Sequence, residues 1–203
     1  MKQSEKTEIT VSRILDAAMV EFGTNGYAGG TVNNICKTGI NKGLIYHNFK
    51  DKDELYLSCL KKSCDKLTEY IKERNCPDDL MQYMNIRMDF FKEYPNEAHI
   101  FFESLLNPQP QLKDEIAEAM GELEELNERI YLKTVQSVTL RDNVTMEDAL
   151  LYFRQMQVMF NGYFSSPSYQ NTTLDEKVKI HETNIPKLFD FMLYGIAKED
   201  DKK

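Results

Sequence analysis

The sequence predicts an all-α protein. Three observations carry that expectation: apolar residues recur every three to four positions along most of the chain, no segment shows a convincing strand pattern, and the periodic runs are separated by glycine, proline and capping residues. With 203 residues and 41% hydrophobic content, the chain can form one large or two small domains with a sizeable core.

The first helix is expected from about Val11 to Thr24, with Ile14, Leu15, Ala18, Met19 and Phe22 on one stripe and the Asn25-Gly26 turn at its end. Thr31 is a good N-cap for a second, short helix carrying Val32, Ile35 and Cys36 on one face, and Gly39 ends it. Asn41 caps a third helix through Leu44, Ile45 and Phe49, and Asp51 caps a fourth from about Lys52 to Arg74, which stops before Cys76-Pro77-Asp78. Further helices are expected from about Asp79 to Glu93 and, after a break at Tyr94-Pro95-Asn96, from Glu97 to Leu106, closed by Asn107-Pro108-Gln109-Pro110. Leu112, Ile116, Ala119, Leu123, Leu126 and Ile130 then mark a long amphipathic helix. Its pattern barely exceeds three heptads and contains Gly121, which favours packing within the domain over a coiled coil. The stretch from Met146 to Phe164 is apolar nearly all round and is expected to be buried on two sides. After the polar loop SSPSYQNTT, a last helical stretch reaches Ile196 with Ile185, Leu188, Phe189, Met192 and Leu193 on its apolar face. Pro186 should kink or restart it, and the charged tail from Lys198 to Lys203 should be frayed.

The densest information lies between Thr31 and Leu55, TVNNICKTGINKGLIYHNFKDKDEL, which reads as two short helices joined by a tight turn and running into a third. With Ile45 and Phe49 on the inner face, Lys42, Gly43, Tyr46 and His47 point outward, where a recognition helix meets base edges and phosphates. An ordinary pair of packed core helices is the competing reading. The outward Lys42, Tyr46 and His47, followed by Lys50 and Lys52, argue against it.

These residues, with Ile14, Leu15, Ala17, Ala18, Phe22, Gly26 and Tyr27 upstream and Thr31, Ile35, Gly39, Lys42, Gly43, Ile45, Tyr46, Phe49, Lys52, Glu54 and Leu55 within the stretch, resemble the TetR family of bacterial transcriptional regulators. Cys36 stands where that family usually has alanine, Thr38 and Ile40 replace alanine and valine beside the turn glycine, and Asn48 replaces a common tyrosine or histidine. The resemblance covers roughly the first quarter to third of the chain. It implies an N-terminal three-helix DNA-binding head with a helix-turn-helix, followed by a larger helical ligand-binding and dimerisation body. The corresponding division is a helix-turn-helix domain over 1–50, a connecting helix over 51–76, and a ligand-binding and dimerisation domain over 77–203. The expected DNA contacts are Thr31, Asn41, Lys42, Gly43, Tyr46, His47, Asn48 and Lys52. The expected partners are a second copy of the chain, paired through the stretches Met146 to Phe164 and Ile185 to Ile196, and double-stranded DNA with an inverted-repeat operator.

Charge is compatible with this. The net charge is −8, but residues 1–74 hold 12 Lys+Arg against 10 Asp+Glu, net +2, whereas residues 75–203 hold 13 against 23, net −10. A mildly basic head on an acidic body docks on phosphates through local charge.

Large, adaptable side chains crowd the middle helices. Phe90, Phe91, Phe101, Phe102, Met120, Tyr131, Met156, Met159 and Phe160 are the candidate lining of a site for an apolar or aromatic effector, with His99 and Glu103 as polar anchors. Such stripes also serve as plain core. The expected function is therefore a ligand-responsive regulator, most simply a repressor, with a constitutive DNA-binding dimer as the alternative.

An enzyme finds little support. Gly29-Gly30 lacks the lysine and spacing of a phosphate-binding loop, and there is no nucleophile elbow and no H-E-x-x-H. His99 and Glu103, four apart, are two ligands and not a metal site, so neither metal nor cofactor is expected. His181, followed by Glu182, reads as a solvated residue before Pro186. Cys36, Cys59, Cys64 and Cys76 form no C-x-x-C pair and read as free, buried thiols. The N-terminal MKQSEKTEITVSR lacks the apolar core of a secretory signal, and no run approaches a membrane span, so a cytoplasmic location is expected.

Overall fold

In the computed structural model, which describes residues 3–74 and 80–196, the regular structure is helical throughout. The elements are α1 (Gln3–Gly29), α2 (Val32–Cys36), α3 (Lys42–Asn48), α4 (Lys52–Glu73), α5 (Leu80–Glu93), α6 (Pro95–Leu106), α7 (Lys113–Gln136), α8 (Met146–Tyr163) and α9 (Leu174–Ile196), with short 3-10 turns at Pro110–Leu112 and Pro167–Tyr169. The Cys76-Pro77-Asp78 boundary and the Lys198 to Lys203 tail lie outside the described residues.

The first four helices follow the caps that the sequence supplies. Thr31 accepts a hydrogen bond from the Asn34 amide, Asn41 from the Gly43 amide and Asp51 from the Glu54 amide, each satisfying an amide that the first turn leaves without a partner. Gly39, at φ 90°, makes the turn between α2 and α3 in a conformation that side chains disfavour. Ile14, Ala18 and Phe22 of α1, Ile35 of α2 and Ile45 of α3 are buried, and Leu55, Cys59 and Leu60 of α4 continue the same core. Burial pushes the Cys59 and Cys64 thiols up to about 12, so neither is a reactive thiolate.

In the rest of the chain, α6 packs on both α1 and α4, α7 lies along α4, and α9 packs against α6. The approach of α6 to α1 depends on two glycines. A Cβ at Gly23 would lie 2.5 Å from Asn96 Cβ, and one at Gly26 would lie 2.7 Å from Glu103 Oε1. Gly26 also breaks α1 internally at φ 67°, so the Asn25-Gly26 turn expected from sequence is present inside the α1 span.

Four expectations need correction. α1 begins at Gln3, well before Val11, because the polar Gln3 to Thr10 segment contains good helix formers even though it lacks an apolar stripe. The break before α6 is confined to Tyr94, since Pro95 occupies the first helical turn, where a missing N–H costs nothing. Pro186 does not interrupt α9, which runs from Leu174 to Ile196 while Ile185, Phe189 and Met192, on either side of the proline, are held in the core. Finally, α8 is not buried on two sides within one chain. Ala149 and Phe153 are buried, while Leu151, Tyr152, Val158, Met159 and Tyr163 are exposed, as is Phe191 of α9.

Candidate nucleic-acid interface and ligand cavity

One end of the molecule is built by α2, α3 and the start of α4. Ile45 and Phe49 are buried, and this fixes the roll of α3 so that Lys42, Gly43, Tyr46 and His47 are exposed. Lys42 Nζ donates to Asn33 Oδ1 at 3.0 Å, and Lys37 Nζ to Asn34 Oδ1 at 2.8 Å, so the two cations lie along α2 and α3 where a phosphate could replace their asparagine partners. Thr31 and Asn41 sit exposed at the two helix N-termini. Asn48 turns its amide nitrogen back to the Leu44 carbonyl at 2.8 Å, leaving Oδ1 as its outward group. Lys52 lies over the Tyr27 ring, its ammonium 4.4 Å from the centroid, while the Tyr27 hydroxyl donates to Asp53 at 2.6 Å. All eight residues expected to touch DNA therefore occur in these neighbouring segments. Asn33 of α2 and Lys37, which caps its C-terminal end, join them; both are exposed, on the side away from buried Val32 and Ile35, and the sequence alone did not single them out.

The body contains a cavity of about 660 Å³ between α5, α6, α9 and Gly23 of α1. Met88 and Phe91, Ala98 and Phe102, and Leu174 and Val178 supply its apolar wall; His99, Lys92, Lys179, Asp175 and Glu182 are its polar residues. One residue beyond Phe102, the buried Glu103 carboxylate turns toward the head instead. Its two oxygens share the single N–H of the Tyr27 amide, at 3.0 and 2.8 Å, and it accepts a further hydrogen bond from the Tyr56 hydroxyl at 2.9 Å. Burial and this carboxylate together raise the Tyr56 phenol far above its ordinary range. Helix α6 thus lines the cavity with one set of side chains and grips the Gly26-Tyr27 turn with the next.

Residues 14–59 match the family model described as bacterial regulatory proteins, tetR family. An HTH-type transcriptional repressor of Streptomyces coelicolor is 32% identical over 96 residues, a match that covers 47% of this chain and only about half, 49%, of that repressor. The transcriptional repressor AcnR of Corynebacterium efficiens is 23% identical over 184 residues, covering 85% of this chain and 90% of AcnR. Among solved structures, the regulator FadR of Bacillus subtilis, determined with stearoyl-CoA, has the same fold, with a TM-score of 0.62 at 18% identity over 91% of this chain and 98% of that one. Over residues 14–59 this chain is similar to the TetR family.

In the body of the chain, the candidate effector residues are scattered. Phe91, His99 and Phe102 line the cavity. Phe90 is buried against Tyr70 and Tyr94, and Phe101 packs on Phe91 and Phe102. Glu103 does not face the cavity, because its carboxylate is committed to the head, and it forms no metal pair with His99; no group of three potential metal ligands occurs among the described residues. Met120 and Tyr131 are core, the latter stacked on Phe153 at 4.0 Å. Met156 and Phe160 are half-buried away from the cavity wall, and Met159 is 67% exposed. A helical period shows that residues share a face but not what that face meets.

The largest correction is His181, which is fully buried. Its Nδ1 is 2.9 Å from Glu182 Oε1 and its Nε2 is 3.0 Å from Asn161 Oδ1. Glu182 also pairs with the buried Arg87 guanidinium. Arg87 holds the Glu182 carboxyl below its ordinary value despite burial, and burial lowers the His181 imidazole. A neutral ring that donates to Glu182 must accept at Nε2, which calls for the Asn161 amide to present its nitrogen there. Three polar residues from α5 and α9 thus meet beside the cavity, a juxtaposition with no trace in local sequence.

Proposed function

We propose that this chain is a homodimeric, ligand-responsive transcriptional repressor acting in the cytoplasm. Its division would follow the expected one: a DNA-reading domain over 1–50, a connecting helix over 51–76 and an effector and dimerisation domain over 77–203. The observation that carries the reading is α3, a helix held from below by Ile45 and Phe49 while Lys42, Gly43, Tyr46 and His47 face outward beside the capped α2. Tyr46 and His47 read bases, Lys42 and Lys52 hold phosphates, and Thr31, Asn41 and Asn48 fix the register. The repressing sense follows the repressors to which the chain is similar.

Dimerisation is supported by the exposed apolar face of Leu151, Tyr152, Met159 and Phe191, a combination that a lone soluble chain rarely leaves open. An effector is supported by the cavity beside α6, whose size lies in the ordinary range of small-molecule sites. That effector would be apolar or aromatic.

The test is selection of bound sequences from random duplex DNA by the full-length protein. An inverted repeat bound with a dissociation constant of about 10 nM or tighter is expected. Recovery of no sequence above background would remove the DNA-reading assignment. For the effector, thermal-shift screening of apolar and aromatic compounds, scored by release of the selected operator, should yield ligands that do both; stabilisers that never alter DNA affinity would leave a constitutive DNA-binding dimer.

A further inference from the structure

We propose that the ligand of the α5–α6–α9 cavity is an amphipathic monoanion, its apolar part lying along Phe91, Phe102 and Val178 and its acidic group held at the rim by Lys92 and Lys179. This narrows the effector reading above and rests on it. The argument is one of charge left uncompensated. Four formally charged side chains line the cavity: Lys92, Lys179, Asp175 and Glu182. Glu182 is neutralised from behind by the buried Arg87, so it offers no attraction to a cation. Asp175 lies in the first turn of α9, where the positive end of the helix offsets its charge. Glu182 is therefore not free to act as a counter-ion, and the charge of Asp175 is partly offset. Lys179, by contrast, has no carboxylate within ion-pair distance among the described residues. Among the described residues Lys92 pairs only with Asp89, at 3.4 Å, with the side chains 71% and 66% exposed, and such a pair exchanges readily for a better one.

The body around the cavity is strongly acidic, net −10 over residues 75–203, so two weakly engaged lysines at one apolar opening single it out. An apolar molecule carrying a carboxylate or comparable acid buries its chain against the aromatic wall and gains charge-assisted hydrogen bonds at the rim. A hydrophobic cation of the same shape would meet two ammonium groups there against the single carboxylate of Asp175.

The test holds the tail constant and varies the head. Decanoate, decanol and decyltrimethylammonium, each below its critical micelle concentration, are titrated calorimetrically into the full-length protein and into a Lys92→Ala/Lys179→Ala variant. Decanoate should bind at least about tenfold more tightly than the cation, and the double variant should lose about tenfold for decanoate while leaving decanol unchanged. Both lysines are exposed, so the variant should fold as the parent does. Equal or tighter binding of the cation, or decanoate binding indifferent to the lysines, overturns the inference while leaving the cavity an effector site. Binding of none of the three overturns the inference and the cavity reading together; an Ala98→Phe variant, which fills the cavity, should abolish whatever binding is seen.

Discussion

Lys52, Gly43, Glu103 and His181 each do one separable thing. Lys52 is expected to neutralise a phosphate without reading sequence, so Lys52→Ala should weaken all operators alike and reduce the slope of log affinity against log salt by roughly 1. An unchanged slope across a salt series would remove Lys52 from the phosphate contacts. Gly43 is exposed at the start of α3, and Gly43→Leu should abolish operator binding by mobility shift while leaving the melting temperature nearly unchanged. Glu103 is different in kind. Glu103→Ala leaves the Tyr27 amide and the buried Tyr56 hydroxyl without their acceptor and should cost about 2–3 kcal/mol in urea unfolding. For His181, burial depresses the folded-state pKa below the unfolded value of about 6.5, so the unfolded chain binds more protons as the solution is acidified. Its contribution is complete above about pH 6.5 and is lost as pH falls toward the folded value; the Glu182 carboxyl, also lowered, adds a second loss below about pH 4.3. Stability should therefore decline from near pH 6.5 downward, and His181→Gln should flatten the decline between about pH 5 and 7 in denaturant titrations.

At the scale of the helix, α8 and α9 show how a correct periodicity can point to the wrong residues. Phe189 and Met192 look from sequence like a face for a partner, but they are only 3% and 1% exposed and belong to the chain's own core. Phe189→Glu should unfold the subunit, since it places an unpaired charge in that core. Met159 and Phe191 are the outward residues, at 67% and 75% exposure. Met159→Glu or Phe191→Glu should give folded monomers, measured as a halved mass in sedimentation with an unchanged circular dichroism spectrum. A dimer that survives both changes would move the interface elsewhere.

Across the described residues, the cavity and the end built by α2 and α3 are joined by packed helices. α6 lines the cavity, grips the Gly26-Tyr27 turn through Glu103 and packs on α4, which itself begins beside the recognition helix. A ligand that favours a displaced α6 would misplace the two heads of a dimer relative to half-sites spaced by a multiple of about 10 base pairs. Hundredfold release of operator requires a coupling of about 2.7 kcal/mol between the two sites. Inserting five base pairs between the half-sites of the selected operator, which turns one of them to the opposite side of the duplex, should abolish cooperative binding if the dimer is rigid in this way.

Local signals decided the head. Thr31, Asn41 and Asp51 are caps, Gly26 and Gly39 are turns, and Ile14, Phe22, Ile35 and Ile45 fall on inward faces at helical spacing, so α1 to α4 and the outward face of α3 were legible from residues a few positions apart. The body was legible as helices but not as sites. Whether an apolar residue meets its own core, a cavity or open solvent depends on which helix lies opposite, and Tyr131, Phe91 and Met159 went to three different places. The same holds for buried charge: Arg87 and Glu182 lie 95 positions apart, and only the packing of α9 against the helices of the body turns His181 from an apparent surface residue into part of a buried network. Capping and periodicity are short-range effects written in neighbouring residues, whereas burial, pairing and cavities are properties of contacts between distant segments, and these the tertiary structure alone decides.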